Sequence, residues 1–257
     1  MAEPPARPDL AARLREMTPA RVALGRVGAG LPTRPMLEFQ LAHARARDAV
    51  HAALPDGAFG ATLAGLPGPA ELAVIEVRSQ APDRATYLLR PDLGRSLDPA
   101  CRGQLLRCDT DLAIVIADGL SAAGMLAHGA AIAIAIVAKL PGWSVAPIVV
   151  AHQARVALGD QIAAALGARL VIVLIGERPG LSAADSVGAY LTWAPQPGRL
   201  DSERNCVSNI RPGGLGIERA AALIAAIALR ARTLGETGVR LKIAEPPPTL
   251  EIARGED

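Results

Sequence analysis

The sequence predicts an α/β fold in which a smaller helical N-terminal region precedes a doubly wound, mostly parallel sheet. Apolar runs alternate with helical patterns from residue 71 onward, which is the order of elements in doubly wound sheets. The run in DLAIVIADG, at 111–119, is unbroken, as in a strand that is buried on both faces. The connections between strands and helices are short, and this fits right-handed crossovers.

The composition excludes several classes of protein. The chain has 257 residues, of which 51% are hydrophobic, so it can form one or two globular domains. A net charge of +2 is too small to concentrate nucleic acid or anionic lipid, and two Phe, two Trp and two Tyr leave few rings for stacking on bases. Three cysteines without a C-x-x-C pair make no disulfide framework. With a charged N-terminus that lacks a secretory h-region, we expect an intracellular protein.

The N-terminal part divides into an arm and a helical region. Residues 1–20 are rich in Pro and charge, and they either fray or form a short amphipathic helix around Leu10 and Leu14. Residues 21–70 form the helical region, which contains a long helix with Thr33 as its N-cap.

That helix carries a basic stripe, which consists of His43, Arg47 and His51 at successive i, i+4 positions. A solvated or interface stripe is favoured over a catalytic face, because two histidines eight positions apart match no chelating pair.

The main domain covers residues 71–240, and an irregular Pro-rich tail follows at 241–257. Strands are predicted over 71–79, 111–119, 144–153, 169–175 and 186–195. Helices are predicted over 121–142, 158–168 and 216–235. The helix over 121–142 has an apolar part too short to cross a bilayer, which takes about 20 residues.

Ligands of open α/β sheets bind beyond the carboxyl ends of the strands, so the loops after the strands are the candidate sites. These loops begin at Asp118, His152 and Gly176. They contain neither G-x-G-x-x-G nor a P-loop. Cys206 lies among polar residues in a predicted loop, where a lone Cys is more often a small buried hydrophobe than a ligand contact. A standalone hydrolase using Asp118 or Cys206 has no visible partner base, and the chain lacks a complete catalytic set.

Several sequence blocks occur together in one order between about residues 20 and 240: VALGRVGAGLPT, LAHARARDAV, DLAIVIADGLSA, LIGERPGLSAADSVGAYLTW and ERNCVSNIRPGG. In this order and spacing the chain resembles the small (light) subunit of ethanolamine ammonia-lyase. GERPGL and R-x-C-x-S-N-I are the most specific blocks.

The resemblance implies an adenosylcobalamin-dependent lyase that converts ethanolamine to acetaldehyde and ammonia by a radical mechanism. It implies that residues 71–240 form a Rossmann-like domain covering part of the cobalamin, while a large subunit holds ethanolamine. We therefore expect a hetero-oligomer that is inactive without the large subunit. The expected location is the cytoplasm, with enclosure in a bacterial microcompartment left open.

The family's cobalamin contacts fall on Val156, Glu177 and Cys206 in this sequence. No catalytic or metal-binding residue is carried over. The chain lacks D-x-H-x-x-G, so the cofactor is expected to keep its own base on cobalt. Because cobalamin is rimmed with neutral amides, we expect backbone groups, a carboxylate and apolar surface at the site, without a need for basic residues. A Rossmann-like accessory or regulatory protein that binds a cofactor without taking part in turnover is the alternative interpretation.

Overall fold

A computed structural model describes residues 10–64 and 73–241 of the chain. The outer part of the predicted arm, the start of the first predicted strand and the tail from residue 242 lie outside the described residues.

The centre of the structure is a mixed six-stranded sheet. Its strands are β1 (Val74–Arg78), β2 (Leu112–Ala117), β3 (Ile148–His152), β4 (Leu170–Gly176), β5 (Val187–Trp193) and β6 (Asn205–Ile210). The spatial order is β1-β3-β2-β4-β5-β6. The pairs among β1 to β4 are parallel, whereas β4–β5 and β5–β6 are antiparallel. The α/β class is thus confirmed, with a sheet that mixes both strand directions.

The last strand corrects a prediction, because the segment around Cys206 is not a loop. It is β6, which pairs with β5 alone at the edge of the sheet. Val207 and Ile210 are buried, whereas Cys206 is exposed. An edge strand with one solvated face carries polar residues, and this polar pattern resembles that of a loop.

The helices of the described residues are α1 (Leu10–Met17), α2 (Thr33–His51), α3 (Gly60–Ala64), α4 (Arg84–Leu89), α5 (Ala122–Gly124), α6 (Ala130–Ala138), α7 (Leu158–Leu166) and α8 (Ile217–Leu234). The predicted helices occur in the predicted order with two differences, and α4 lies where no helix was predicted. Thr33 does not cap α2: Pro32 holds that position in an extended conformation, and Thr33 is the first helical residue. The helix predicted over 121–142 is divided, since a π-helical turn, Met125–Gly129, joins α5 to α6.

Apolar side chains cover both faces of the sheet. Ile114 and Ile116 of β2 belong to a core that includes α6 and α8, whereas Ala113 and Val115 belong to a second core that includes α7. Every residue of β2 is therefore buried, as its unbroken apolar run predicted. No helix within residues 10–64 and 73–241 is long and apolar enough to cross a membrane.

The arrangement of β2 and β4 positions a candidate site. They are neighbours in the sheet, but the chain visits β3, on the other side of β2, between them. Such a reversal of strand order opens a crevice at the carboxyl ends. Gly119, at φ +54°, lies in the loop after β2, and Gly176 is the last residue of β4. The two glycines allow close backbone contact here, and Leu120 N donates to Gly176 O at 2.8 Å. A Cβ on either glycine would overlap the backbone of the opposite loop.

Candidate cofactor-binding site

A cleft of about 450 Å³ opens at the carboxyl ends of β2 and β4. We call it the carboxyl-edge cleft. Its lining includes the backbone of Gly119 and Gly176 and the side chains of Val156, Glu177 and Tyr190. Two of the three predicted contact residues, Val156 and Glu177, therefore line one cleft, although 21 positions of sequence numbering separate them.

Cys206 lies beside this cleft on β6, directly opposite Tyr190 of β5 in the strand register. Residues that are directly opposite each other on neighbouring strands carry their side chains on the same face of the sheet. Although Cys206 is exposed by surface area, neighbouring protein atoms partly desolvate its thiol and raise its pKa; the charge of Glu177 acts in the same direction, and Tyr190 opposes the rise. Burial also raises the pKa of Tyr190 to about 12, with Cys206 and Glu177 adding to the effect. Both groups are therefore protonated at neutral pH, and they suit hydrogen bonding rather than nucleophilic attack.

Glu177 immediately follows β4, and its backbone N–H donates to Ser186 O at 3.0 Å. Its carboxylate accepts from Asn209 N, which lies 3.2 Å from each oxygen. Among the residues that the structure describes, no other hydrogen bond to this carboxylate is formed. A carboxylate has about four acceptor positions, so Glu177 keeps acceptor capacity for a ligand with amide N–H groups.

Asp118 immediately follows β2, and its side chain stabilises the fold. It is fully buried and accepts hydrogen bonds from Gln153 N at 2.9 Å and Ala154 N at 3.0 Å. Arg84 Nη1 lies 3.5 Å from its Oδ2. Burial raises the pKa of Asp118, and the two amide donors and Arg84 oppose this rise. Since its oxygens face these internal donors and not the solvent, the hydrolase interpretation gains no support from Asp118.

The sequence did not predict the contribution of Tyr87, an aromatic residue in the lining of the carboxyl-edge cleft. Tyr87 is 0% exposed, and its hydroxyl donates to Ala154 O at 3.0 Å. The guanidinium carbons of Arg84 and Arg155 lie 4.9 and 4.4 Å from the centre of its ring. Tyr87 is on α4, which lies between the first two predicted strands, where no helix was predicted. The available signal was Asp83, whose side chain caps α4 by accepting from Thr86 N at 2.7 Å.

A second cleft of about 470 Å³ adjoins the first, and the two share Leu120, Arg155 and Arg178 in their linings. We call it the basic cleft. The basic stripe of α2 lines its far side. The three stripe residues are exposed, as a solvated or interface stripe requires, and the structure adds that they face a concave surface.

A third group of polar residues has a structural explanation. His152 Nε2 lies 3.2 Å from Glu76 Oε2 and 3.6 Å from Asp56 Oδ1, so the three side chains bring ligand atoms as close together as a metal site requires. Asp56 is already bound by Arg78 Nη2, at 2.5 and 2.7 Å from its two oxygens, and Gly57 N donates to Glu76. These contacts fasten the segment before α3 to β1.

Comparisons with known proteins agree over nearly the whole chain. The family model described as ethanolamine ammonia-lyase light chain matches residues 8–242. A protein from Bradyrhizobium diazoefficiens is 54% identical over 244 residues, covering 93% of this chain and 91% of the relative. One from Ralstonia nicotianae is 48% identical over 250 residues, covering 94% and 91%. One from Rhodococcus erythropolis is 48% identical over 231 residues, covering 89% and 88%. All three are named ethanolamine ammonia-lyase small subunit.

Proposed function

Because the chain belongs to the ethanolamine ammonia-lyase light-chain family, we propose that it covers part of an adenosylcobalamin cofactor in a complex whose large subunit holds ethanolamine. The complex converts ethanolamine to acetaldehyde and ammonia. The observation that supports this proposal best is the carboxyl-edge cleft, which brings Val156 and Glu177 together with Cys206 close by.

The residues of this cleft fit the chemistry of a corrin edge. Cobalamin presents amide side chains, which donate and accept hydrogen bonds, around an apolar ring. Glu177 is an acceptor with free capacity, and Tyr190 is a neutral hydroxyl beside it. Val156, Leu120 and Ile175 supply apolar surface. A mixed lining of this kind orients a large neutral ligand.

Val156, Glu177 and Cys206 would hold adenosylcobalamin on the side of this chain, and the bound cofactor would supply the radical chemistry of the reaction. The residues of this chain bind and orient the cofactor and exclude water from the side they cover. Tyr190 and Cys206 keep their protons at neutral pH, so they introduce no base beside the cofactor. We place no catalytic group on this chain, and the substrate pocket belongs to the large subunit.

The proposed domain organisation follows from the same sheet. Strands β1 to β4 run parallel in the order β1-β3-β2-β4, with apolar cores on both faces, and this supports a Rossmann-like, doubly wound cobalamin domain over residues 71–240. We propose residues 1–20 as an arm, 21–70 as a helical region and 241–257 as a tail, of which residues 1–9, 65–70 and 242–257 lie outside the described part of the chain.

We place the contact with the large subunit on the N-terminal helices. Several large apolar side chains of α1 and α2 are exposed. Exposed apolar residues in such numbers usually mark a binding surface. They are Leu10, Met17, Met36, Leu37, Phe39 and Leu41, which are 42 to 81% exposed. A hetero-oligomer would cover them. The complex is expected in the cytoplasm, with a microcompartment as the further possibility.

Co-expression with the large subunit tests the proposal. The purified complex should release acetaldehyde from ethanolamine when adenosylcobalamin is added, and neither the complex without the cofactor nor this chain alone should do so. Cofactor binding by a complex that gives no turnover would favour the accessory protein. Turnover by the chain alone would contradict the division of labour between the subunits.

A further inference from the structure

The basic cleft concentrates positive charge without an acidic residue in its lining. Three arginines, Arg47, Arg155 and Arg178, line it together with His43 and His51 of the basic stripe. The remaining lining residues that the structure describes are apolar. Like charges repel one another, so a concave group of arginines is stabilised by an anion and attracts one.

Two of these arginines are available for a ligand. Arg178 is exposed, and within residues 10–64 and 73–241 it forms neither an ion pair nor a side-chain hydrogen bond. Arg155 is held in place, because it stacks on Tyr87 at 4.4 Å and its Nη2 donates to Tyr87 O at 3.4 Å. Its Nε is buried and has no hydrogen-bond partner. Gly94 makes room for this side chain, since a Cβ there would lie 3.0 Å from Arg155 Cγ.

The position of the basic cleft restricts what it binds. Arg155 and Arg178 line both clefts, and Arg178 follows Glu177 in the chain. One ligand with a neutral, amide-bearing part and a single anionic part would therefore satisfy the two clefts together. Cobalamin has this distribution of charge, because its side chains are neutral amides and its nucleotide loop carries one phosphodiester.

We propose that the basic cleft binds the phosphodiester of the cobalamin nucleotide loop through Arg178 and Arg155, while the carboxyl-edge cleft receives the amide-bearing corrin edge. This inference rests on the proposed function, and it adds a charged contact to the amide and apolar contacts that the sequence led us to expect. Guanidinium groups bind phosphate oxygens through charge-assisted, often bidentate hydrogen bonds.

The test compares two ligands in the assembled complex. Cyanocobalamin carries the phosphodiester, whereas cyanocobinamide lacks the phosphate and the nucleotide, and both are followed by their absorbance in equilibrium dialysis. Arg178→Gln should weaken cyanocobalamin binding about tenfold, the loss of one charge-assisted hydrogen bond, and leave cyanocobinamide binding unchanged. Arg155→Gln should act in the same direction. Arg219→Gln removes an exposed arginine of α8 that lines neither cleft, and it should change neither affinity.

Equal losses for the two ligands, or no loss for either, would overturn the inference. Inorganic phosphate is the second probe, because a free phosphate ester has the same chemistry. If phosphate raises the thermal stability of the complex through Arg178 while cyanocobalamin and cyanocobinamide bind with equal affinity, the cleft binds a free phosphate ester instead. If the wild-type complex binds neither corrinoid, the proposed function itself fails, and this inference fails with it.

Discussion

Replacing Glu177 by alanine should weaken cobalamin binding while leaving the fold and the assembly of the complex intact. The Glu177 carboxylate lies at the end of β4 and accepts only the amide of Asn209, at 3.2 Å, among the described residues. Asn209 is exposed, so water can replace this contact, and the expected loss of folding stability is below about 1 kcal/mol.

The effect on binding should be larger, because ligand donors that are buried against the cleft would lose a charged acceptor. Hydrogen bonds to charged groups contribute about 1.5–3 kcal/mol, which corresponds to roughly a ten- to a hundredfold rise in Kd. Glu177→Gln should lose less, because the amide oxygen still accepts. Glu218→Ala is the matched control, since it removes an exposed carboxylate on α8 that lines neither cleft.

The measurement is a cobalamin titration of the assembled complex, followed by absorbance, with the subunit stoichiometry determined on the same samples. An affinity equal to that of the wild type would remove Glu177 from the site. Loss of assembly in Glu177→Ala, with the Glu218→Ala complex intact, would instead assign Glu177 to the subunit interface.

Three further outcomes follow from buried contacts. Asp160→Ala should lower the free energy of unfolding by about 3–5 kcal/mol, because it leaves buried Arg204 without its bidentate partner at 2.6 and 2.8 Å. Asp201→Ala removes an exposed partner of the same arginine and should lower it by less than about 1 kcal/mol. Chemical denaturation of the complex measures both changes. Gly176→Ala should lower the melting temperature and the cobalamin affinity together, since its Cβ would overlap the loop after β2, and a normal affinity would contradict the placing of the site. Tyr190 has a pKa of about 12 in the folded chain and near 10 when unfolded, so stability should fall as pH rises through this interval, and Tyr190→Phe should reduce that fall in thermal melts.

Strands β2, β3 and β4 were predictable because their residues are buried throughout, which leaves apolar runs in the sequence, whereas β1 lies at the sheet edge and its apolar residues are interrupted by Glu76. The general rule for open α/β sheets predicted a candidate site at the carboxyl ends of the parallel strands, and the carboxyl-edge cleft lies there. β6 was not predictable, since one solvated face gives an edge strand the polar composition of a loop. The division of the helix over 121–142 also has no signal in its apolar pattern, which continues through the π-helical turn.

The lining of the two clefts was only partly predictable. The basic stripe of α2 is visible in the sequence because its spacing follows the helical repeat. Its neighbours Arg155 and Arg178 come from loops more than 100 positions away in the numbering, and no local pattern connects them to the stripe. The same holds for Tyr87, whose hydroxyl meets Ala154 O across 67 positions. Contacts of this kind are set by the assembled sheet.

The Arg84 guanidinium forms hydrogen bonds to three separate segments of the chain. Its Nε donates to Val50 O near the end of α2 at 2.7 Å, and its Nη1 donates to Gly119 O after β2 at 2.8 Å and to Gln153 Oε1 after β3 at 3.4 Å. One guanidinium thus ties the wall of the basic cleft to the floor of the carboxyl-edge cleft. The conformational entropy of these loops is lost when the chain folds, and little remains to be lost when a ligand arrives. A displacement of α2 by a partner subunit would accordingly reach the loops at the carboxyl ends of β2 and β3 through the hydrogen bonds of Arg84.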